Sequence, residues 1–208
     1  SSADTGCAGR RSFEACPFYL GERHAPAIIH AVFPHLRAVA ILRNPRERTT
    51  SAFNDYVRVG RVRRANASAA GMEALIFEKL NLLRTRQRTL ESFDMRMLTS
   101  GVYIYGLRAW GDGAVWPQRQ LLVLRSEDLF EGTERMMGRV QSFLGLSAPF
   151  SADALAHVHN RNPISKARAS PRLNQALDAF FAPYNEELYA WAAARGTPFA
   201  RWENATQR

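Results

Sequence analysis

Arg43 and Ser51 have side chains suited to holding a phosphate, and they lie close together in the sequence. A guanidinium can grip a phosphate with two parallel charge-assisted hydrogen bonds, and a hydroxyl can donate a third. The same two residues could equally be a solvated charge at the end of a strand and an ordinary helix residue. The phosphate interpretation therefore depends on the elements that position them.

Residues 37–58, RAVAILRNPRERTTSAFNDYVR, predict a buried strand, a sharp turn and an amphipathic helix. Ala38–Leu42 is a short apolar run rich in β-branched residues, and Asn-Pro follows it at once. Asn44 is a favourable N-cap, and Pro45 suits the first helical position. In an open α/β sheet, ligands bind at the carboxyl ends of strands, where a helix N-terminus offers free N–H groups. We therefore expect Arg43 to lie at an anion site.

The composition favours a polyanionic partner. The 208 residues carry a net charge of +9, from 28 basic and 19 acidic residues. Lys79 and Lys166 are the only lysines, so arginine supplies most of the positive charge. The partner could be a nucleic acid, an acidic polysaccharide or a phosphorylated cofactor, or the charge could simply be solvated. The sequence has no RNP motif, zinc-finger spacing or basic zipper, which argues against a nucleic-acid module.

The histidines and cysteines show no metal-ligand spacing, so we expect no metal site. Cys7 and Cys16 could pair or remain free thiols. Two glycosylation sequons, at Asn66 and Asn204, give weak support for a secretory compartment. No apolar run is long enough to span a membrane, and no signal-like segment opens the chain, which predicts a soluble protein.

The rest of the chain predicts a single α/β domain over residues 1–208, with a frayed segment at 1–11. The pattern indicates a strand-like segment at Phe13–Tyr19 and a second buried strand at Gln120–Arg125. Helices are expected at 26–33, 72–88, 101–110 and 133–144, the last capped by Gly145, and a final pair at 173–181 and 185–194. Arg61 and Arg63 belong to a basic loop that is either solvated or able to hold an acidic acceptor.

Taken in order, these segments resemble the nucleotide-sulfate sulfotransferases, most closely the branch that acts on heparan sulfate glucosaminyl residues through N- or 3-O-sulfation. ILRNPRERTTSAF is similar to the strand and helix that bind the 3′-phosphate, with Arg43 and Ser51 at the family's positions. Residues 100–110 and 120–124 are similar to the family's tyrosine-tryptophan helix and following strand, and residues 181–203 to its closing helices. Residues 164–171 resemble the family's Lys-Gly-Arg loop. The cofactor-binding residues implied in this loop are Lys166, Ala167, Arg168, Ala169 and Ser170, with Ala167 replacing the glycine.

The resemblance implies a three-layer P-loop-like fold, with a central parallel sheet flanked by helices and incomplete at its N-terminus. It also implies transfer of a sulfuryl group from 3′-phosphoadenylyl sulfate to a hydroxyl or amino group of a glycan. The family's Lys-x-Gly-Thr loop and general-base glutamate have no counterpart here, so no catalytic residue is identified. We expect this chain to be the C-terminal part of a longer enzyme, and inactive alone.

Glu14 is implied as a substrate contact, because residues 13–17 are similar to a family segment in which Ala15 replaces a lysine. Arg61 and Arg63 are further substrate candidates. The resemblance also implies a Golgi enzyme, anchored in the membrane by a segment that precedes this chain. The alternative function is a catalytically incompetent, basic polyanion-binding domain. A nucleotide kinase is disfavoured because no GxxxxGK[ST] loop is present.

Overall fold

The computed structural model describes residues 12–112, 116–148, 150–151, 153, 155, 167–197 and 199–203. The expectations for residues 1–11 and for Lys166 lie outside this part of the chain. Within it, the fold is α/β, as the sequence predicts, with a parallel sheet flanked by helices. The strands are β1 (Ala38–Leu42) and β2 (Leu121–Arg125), and the α-helices are α1 (Ala25–Val32), α2 (Pro45–Arg58), α3 (Ala69–Arg84), α4 (Arg96–Thr99), α5 (Tyr103–Gly111), α6 (Ser126–Glu131), α7 (Thr133–Leu144) and α8 (Pro171–Ala194).

The two strands pair in parallel, from Ala38 opposite Leu121 to Leu42 opposite Arg125. Successive side chains of a strand point to opposite faces. In β2, Val123 and Leu124 are both buried, so this strand is covered on both faces, as its apolar run predicts. Because the strands run the same way, their carboxyl ends meet at one edge, where α2 and α6 begin.

The core lies where α2, α5 and α8 pack together with the strands. Phe53, Leu107 and Phe181 are its largest fully buried contributions from these three helices. Gly101 allows a close approach before α5, because a Cβ there would lie 2.9 Å from both Phe181 and Pro45. The start of α2 and the middle of α8 therefore both pack against the backbone of Gly101.

Two expectations about local structure are wrong. The predicted final helix pair is a single helix, α8, which continues through Pro183. Proline removes one helical hydrogen bond and crowds the preceding turn, but buried residues on both sides of it, among them Phe181 and Leu188, hold the helix in one piece. The segment Phe13–Tyr19 is not a strand. It has no regular secondary structure up to a turn at residues 17–18, which leads into a short 3-10 helix at Tyr19–Gly21. The segment pairs with no described strand, and Pro17 has no N–H to donate to a sheet.

The helix-end signals predicted at Asn44, Pro45 and Gly145 are confirmed. Asn44 caps α2, Pro45 opens it, and Gly145 ends α7 in a left-handed conformation with φ of 66°.

Cys16 is a free, half-buried thiol, whereas Cys7 lies outside the described residues. No described helix combines the length and apolar character needed to cross a bilayer. The described residues contain no group of three or more histidine, cysteine, aspartate or glutamate side chains placed to hold a metal.

Candidate functional site

The backbone of Arg43 is fixed where β1 ends. The Tyr103 hydroxyl donates to the carbonyl of Arg43 at 2.8 Å, and the next N–H, of Asn44, donates to Glu127 Oε1 at 2.7 Å. The Arg43 side chain is 45% exposed, and its closest ionic partner is Glu47 at 3.9 Å. An exposed guanidinium in such a long ion pair remains available to an anion, while its backbone is held in place.

The first turn of α2 offers fewer free N–H groups than expected. The Asn44 side chain accepts from the N–H of Arg46 at 3.0 Å, the N–H of Asn44 itself donates to Glu127, and Pro45 has no N–H. Glu47 adds a carboxylate to the same turn. Anion binding here would therefore depend more on cationic side chains than on the helix N-terminus.

Glu127 joins the carboxyl ends of both strands to the end of the described chain. Its second oxygen accepts a hydrogen bond from the indole of Trp202 at 3.0 Å. Glu127 lies just after β2, at the start of α6, where a carboxylate also complements the helix dipole. Glu127 is not among the residues that the sequence predicts for the site. The only sequence signal that could have identified Glu127 is its position just after β2, at the carboxyl end of the sheet.

One face of α2 connects Arg43 to the candidate loop. Glu47, Ser51 and Asn54 are spaced by four and three residues, so their side chains lie on the same side of the helix. Glu47 contacts Arg43 at one end of this row, and Asn54 contacts Ala167 at the other. Ser51 is exposed between them. The structure thus places Arg43, Ser51 and the start of the loop along a common face.

Residues 167–170, which we call the clamp loop, are held from two helices. Asn54 of α2 exchanges two hydrogen bonds with the backbone of Ala167, at 2.9 and 3.0 Å. Glu73 of α3 accepts from the Ser170 hydroxyl at 2.5 Å. Arg168 lies between these anchors, is exposed, and makes no ion pair or hydrogen bond with any described residue. Its guanidinium is therefore available to a ligand.

The other predicted loop residues have structural surroundings. Ala167 and Ala169 are half-buried and pack against the core. The Ser170 hydroxyl accepts from the N–H of Leu173 at 3.1 Å and so caps α8, in addition to its bond to Glu73. These bonds account for the conformation of Ser170 without a ligand. Lys166 falls outside the described residues.

Two further arginines of α2, the buried Arg46 and the half-buried Arg48, were missed by sequence reasoning. Arg46 is 3% exposed and pairs with Asp178 of α8 at 2.8 Å. Arg46 and Phe53 are both buried on α2, and their spacing of seven residues could have placed the arginine on the inner face. Arg48 donates to the carbonyl of Met97 at 3.3 Å and has no carboxylate partner among the described residues. Burial lowers the pKa of Arg48, although Tyr103 and Tyr56 oppose the shift.

Arg61 and Arg63 line a cleft of about 580 Å³ between the end of α2 and α3. The Arg61 guanidinium lies over the ring of Tyr56, 5.2 Å from its centre. Lys79 adds a third cation to the lining, and Glu78 adds one carboxylate. Met97 and Tyr56 also line the cleft, and Arg48 donates a hydrogen bond to the carbonyl of Met97. A cleft with aromatic and cationic walls can bind an acidic, ring-containing ligand.

Glu14 does not line this cleft. Its exposed carboxylate accepts a hydrogen bond from the Tyr19 hydroxyl at 2.6 Å, and this bond raises the pKa of Tyr19. The structure therefore brings Arg61 and Arg63 together but gives Glu14 a separate, local contact.

A sulfotransferase domain model matches residues 24–180 of the chain. The similar proteins include heparan sulfate glucosamine 3-O-sulfotransferase 3B1 of Homo sapiens, which is 29% identical over 138 residues, 66% of this chain and 32% of that protein. Heparan sulfate glucosamine 3-O-sulfotransferase 6 of Homo sapiens is 27% identical and covers 87% of this chain and 54% of its own length. Carbohydrate sulfotransferase 15 of Homo sapiens is 27% identical, with 78% and 32% covered.

Among solved structures, a sulfotransferase from Alicyclobacillus acidocaldarius superposes with a TM-score of 0.60 and 23% identity, covering 88% of this chain and 63% of that one. This likeness supports the fold. The chain spans between about a third and about a half of the curated relatives it matches.

Proposed function

The chain belongs to the sulfotransferase family, and from this membership we propose that it supplies the 3′-phosphate-binding half of an enzyme that moves a sulfuryl group from 3′-phosphoadenylyl sulfate to a glycan. The observation that carries the proposal is the common face of α2, which holds Arg43, Ser51 and the clamp loop. Two exposed guanidinium groups and a hydroxyl fit a phosphate dianion, because they can neutralise its charge and donate to several oxygens.

Each of these groups has a distinct part in the proposal. Arg43 contributes charge from the end of β1, and its fixed backbone limits how far the guanidinium can move. The Ser51 hydroxyl, on the exposed face of α2, can donate a hydrogen bond to the phosphate, and the Arg168 guanidinium would contact it from the clamp loop. Together they would bind and orient the nucleotide. None of the three is proposed to transfer a proton.

We further propose that the 5′ side of the site lies outside these 208 residues. Neither Lys79 nor Lys166 precedes a Gly-Thr pair, so the lysine loop implied by the resemblance is not found in the sequence. When bound, the nucleotide supplies the sulfuryl group, whose transfer depends on in-line positioning and on facing cations and dipoles. A carboxylate base would add about 10²–10⁴-fold. On this proposal, the chain alone binds nucleotide but does not turn over.

The cleft beside Arg61 and Arg63 is the proposed acceptor side. Names of similar proteins refer to heparan sulfate or carbohydrate, and a cleft with three cations suits an acidic glycan of that kind. We propose a Golgi setting from the family resemblance, and the exposed sequon at Asn66 is compatible with it.

The proposal can be tested by titrating the purified protein with 3′,5′-adenosine bisphosphate, with and without a heparin oligosaccharide. Saturable heat of binding with a 1:1 stoichiometry is expected. This binding should persist in excess oligosaccharide, because nucleotide and glycan are proposed to occupy separate sites. The rival function, a basic polyanion-binding domain without nucleotide specificity, predicts that the oligosaccharide displaces the nucleotide completely. Displacement of that kind, or no binding of the bisphosphate at all, would overturn the proposal.

A further inference from the structure

Asn54 uses its whole side-chain amide to hold other groups. Nδ2 donates to the carbonyl of Thr50 at 2.9 Å and to that of Ala167 at 3.0 Å, while Oδ1 accepts from the N–H of Ala167 at 2.9 Å. Both backbone groups of Ala167 are therefore paired with one side chain that lies 113 residues away in the sequence. A side-chain amide carries both a donor and an acceptor, so aspartate or alanine cannot reproduce this pairing.

The opposite end of the clamp loop has its own anchor. Ser170 donates to Glu73, and Arg172 approaches the same carboxylate at 3.5 Å. The loop is thus attached to α2 at its start and to α3 at its end. Arg168 lies between the two attachments with no partner among the described residues. Its backbone is placed without help from a ligand.

Asn54 and Ser51 are three residues apart on α2, which separates them by only about 4.5 Å along the helix axis. The hydrogen bonds of Asn54 therefore bring the start of the loop beside the Ser51 hydroxyl. A different side chain at position 54 would leave the N–H and carbonyl of Ala167 to find other partners. The loop would then have a fixed end at Ser170 and a loose end at Ala167.

We propose that Asn54 is a positioning residue that holds Arg168 against the Ser51 face of α2, so that the cationic wall of the phosphate site is formed before the nucleotide arrives. This inference rests on the proposed function. A loop that is already ordered loses less conformational freedom on binding, and that difference increases affinity. Asn54 itself need not contact the nucleotide. Its effect is expected to pass through Arg168.

The test is a calorimetric double-mutant cycle between Asn54→Ala and Arg168→Ala, with 3′,5′-adenosine bisphosphate as the ligand. Asn54→Ala is expected to weaken binding about tenfold, the size of effect that a lost pair of hydrogen bonds produces. In the Arg168→Ala background, the same substitution should change affinity by less than about twofold, because the group it positions is gone. Adenosine 5′-monophosphate, which lacks the 3′-phosphate, should bind all four proteins equally.

Asn54→Asp is a second variant of nearly the same shape. It keeps the acceptor for the N–H of Ala167 but loses both donated bonds, so its affinity should fall at least as far as that of Asn54→Ala. Asn81→Ala is the matched control. Asn81 is an exposed asparagine of α3 that accepts from Arg84, and its loss should leave nucleotide affinity unchanged.

The outcomes separate the inference from the function on which it rests. If the unaltered protein binds the bisphosphate while the Asn54 variants bind it equally well, the positioning role is wrong and the proposed function stands. If Asn54→Ala reduced nucleotide affinity equally with Arg168 intact and in the Arg168→Ala background, the inference would also be overturned. The loss of affinity would then reflect general destabilisation. Failure of the unaltered protein to bind would overturn the proposed function and this inference with it.

Discussion

The backbone N–H of Asn44 donates to the carboxylate of Glu127 at 2.7 Å, and this bond joins the carboxyl ends of the two parallel strands. Asn44 is also the N-cap of α2 and follows Arg43 directly. The position of the candidate phosphate-binding arginine therefore depends on a carboxylate that comes from the other strand. The candidate site and the sheet are parts of one hydrogen-bonded arrangement.

Glu127→Gln should destabilise the protein by about 1–3 kcal/mol. The amide keeps one acceptor oxygen, so either the N–H of Asn44 or the indole of Trp202 would face an NH₂ group instead. Urea denaturation followed by tryptophan fluorescence measures the change in the free energy of unfolding. Glu131→Gln, at an exposed position of the same helix, is the control. Equal effects of the two substitutions would contradict the role assigned to Glu127.

Asp178→Asn should cost about 3 kcal/mol, because it removes the closer of the two carboxylates that pair with the buried guanidinium of Arg46, Asp178 at 2.8 Å, and leaves only Glu47 at 3.7 Å. The double variant Arg46→Met, Asp178→Leu should be more stable than Asp178→Asn, since it removes both charges together. Thermal unfolding of the three proteins checks the order. A double variant less stable than the single one would show that the pair contributes more than charge compensation.

Tyr103→Phe should change how stability depends on alkaline pH. Burial raises the pKa of Tyr103 to about 12, from an ordinary value near 10. Between these values the unfolded chain loses the proton while the folded protein keeps it, so stability falls as pH rises through this window. The Phe variant lacks that contribution and should lose less stability, by on the order of 2 kcal/mol. Urea midpoints at about pH 9.5 and about pH 11.5, which together span most of this window, measure it. An equal fall in stability between the two pH values in both proteins would contradict the raised pKa of Tyr103 as the cause.

Arg43→Ala should weaken binding of 3′,5′-adenosine bisphosphate by about 1.5–3 kcal/mol, the usual worth of a hydrogen bond to a charged group. The lower part of that range is the better expectation, because the side chain is 45% exposed and already near Glu47. Glu47→Gln should have the opposite sign and bind slightly more tightly. Calorimetric titration resolves both, and an Arg43→Ala protein with unchanged affinity would remove Arg43 from the site.

The elements around Arg43 could be predicted because their determinants are local. The β-branched run before Asn44, the N-cap itself and Pro45 all favour the same strand and helix start. Local preferences were less informative for α8. There Pro183 predicts a break, but burial of the helix on both sides of the proline outweighs it.

The contacts that complete the candidate site could not be predicted in the same way. Asn54 and Ala167 are 113 residues apart in the sequence. An asparagine in a helix gives no signal that its side chain pairs with backbone groups so far along the chain. The same is true of Glu127 with Trp202. Charge alone also did not separate Arg46, which is buried, from Arg43, which is half-exposed, because burial is decided by packing against α8.

The most direct test of the central claim is the ratio of affinities for 3′,5′-adenosine bisphosphate and adenosine 5′-monophosphate, measured by calorimetry on the unaltered protein. The two ligands differ only in the 3′-phosphate. Binding through Arg43, Ser51 and the clamp loop predicts at least about a tenfold preference for the bisphosphate, as expected for one or more hydrogen bonds to a charged group. Equal affinity for the two nucleotides would contradict the account.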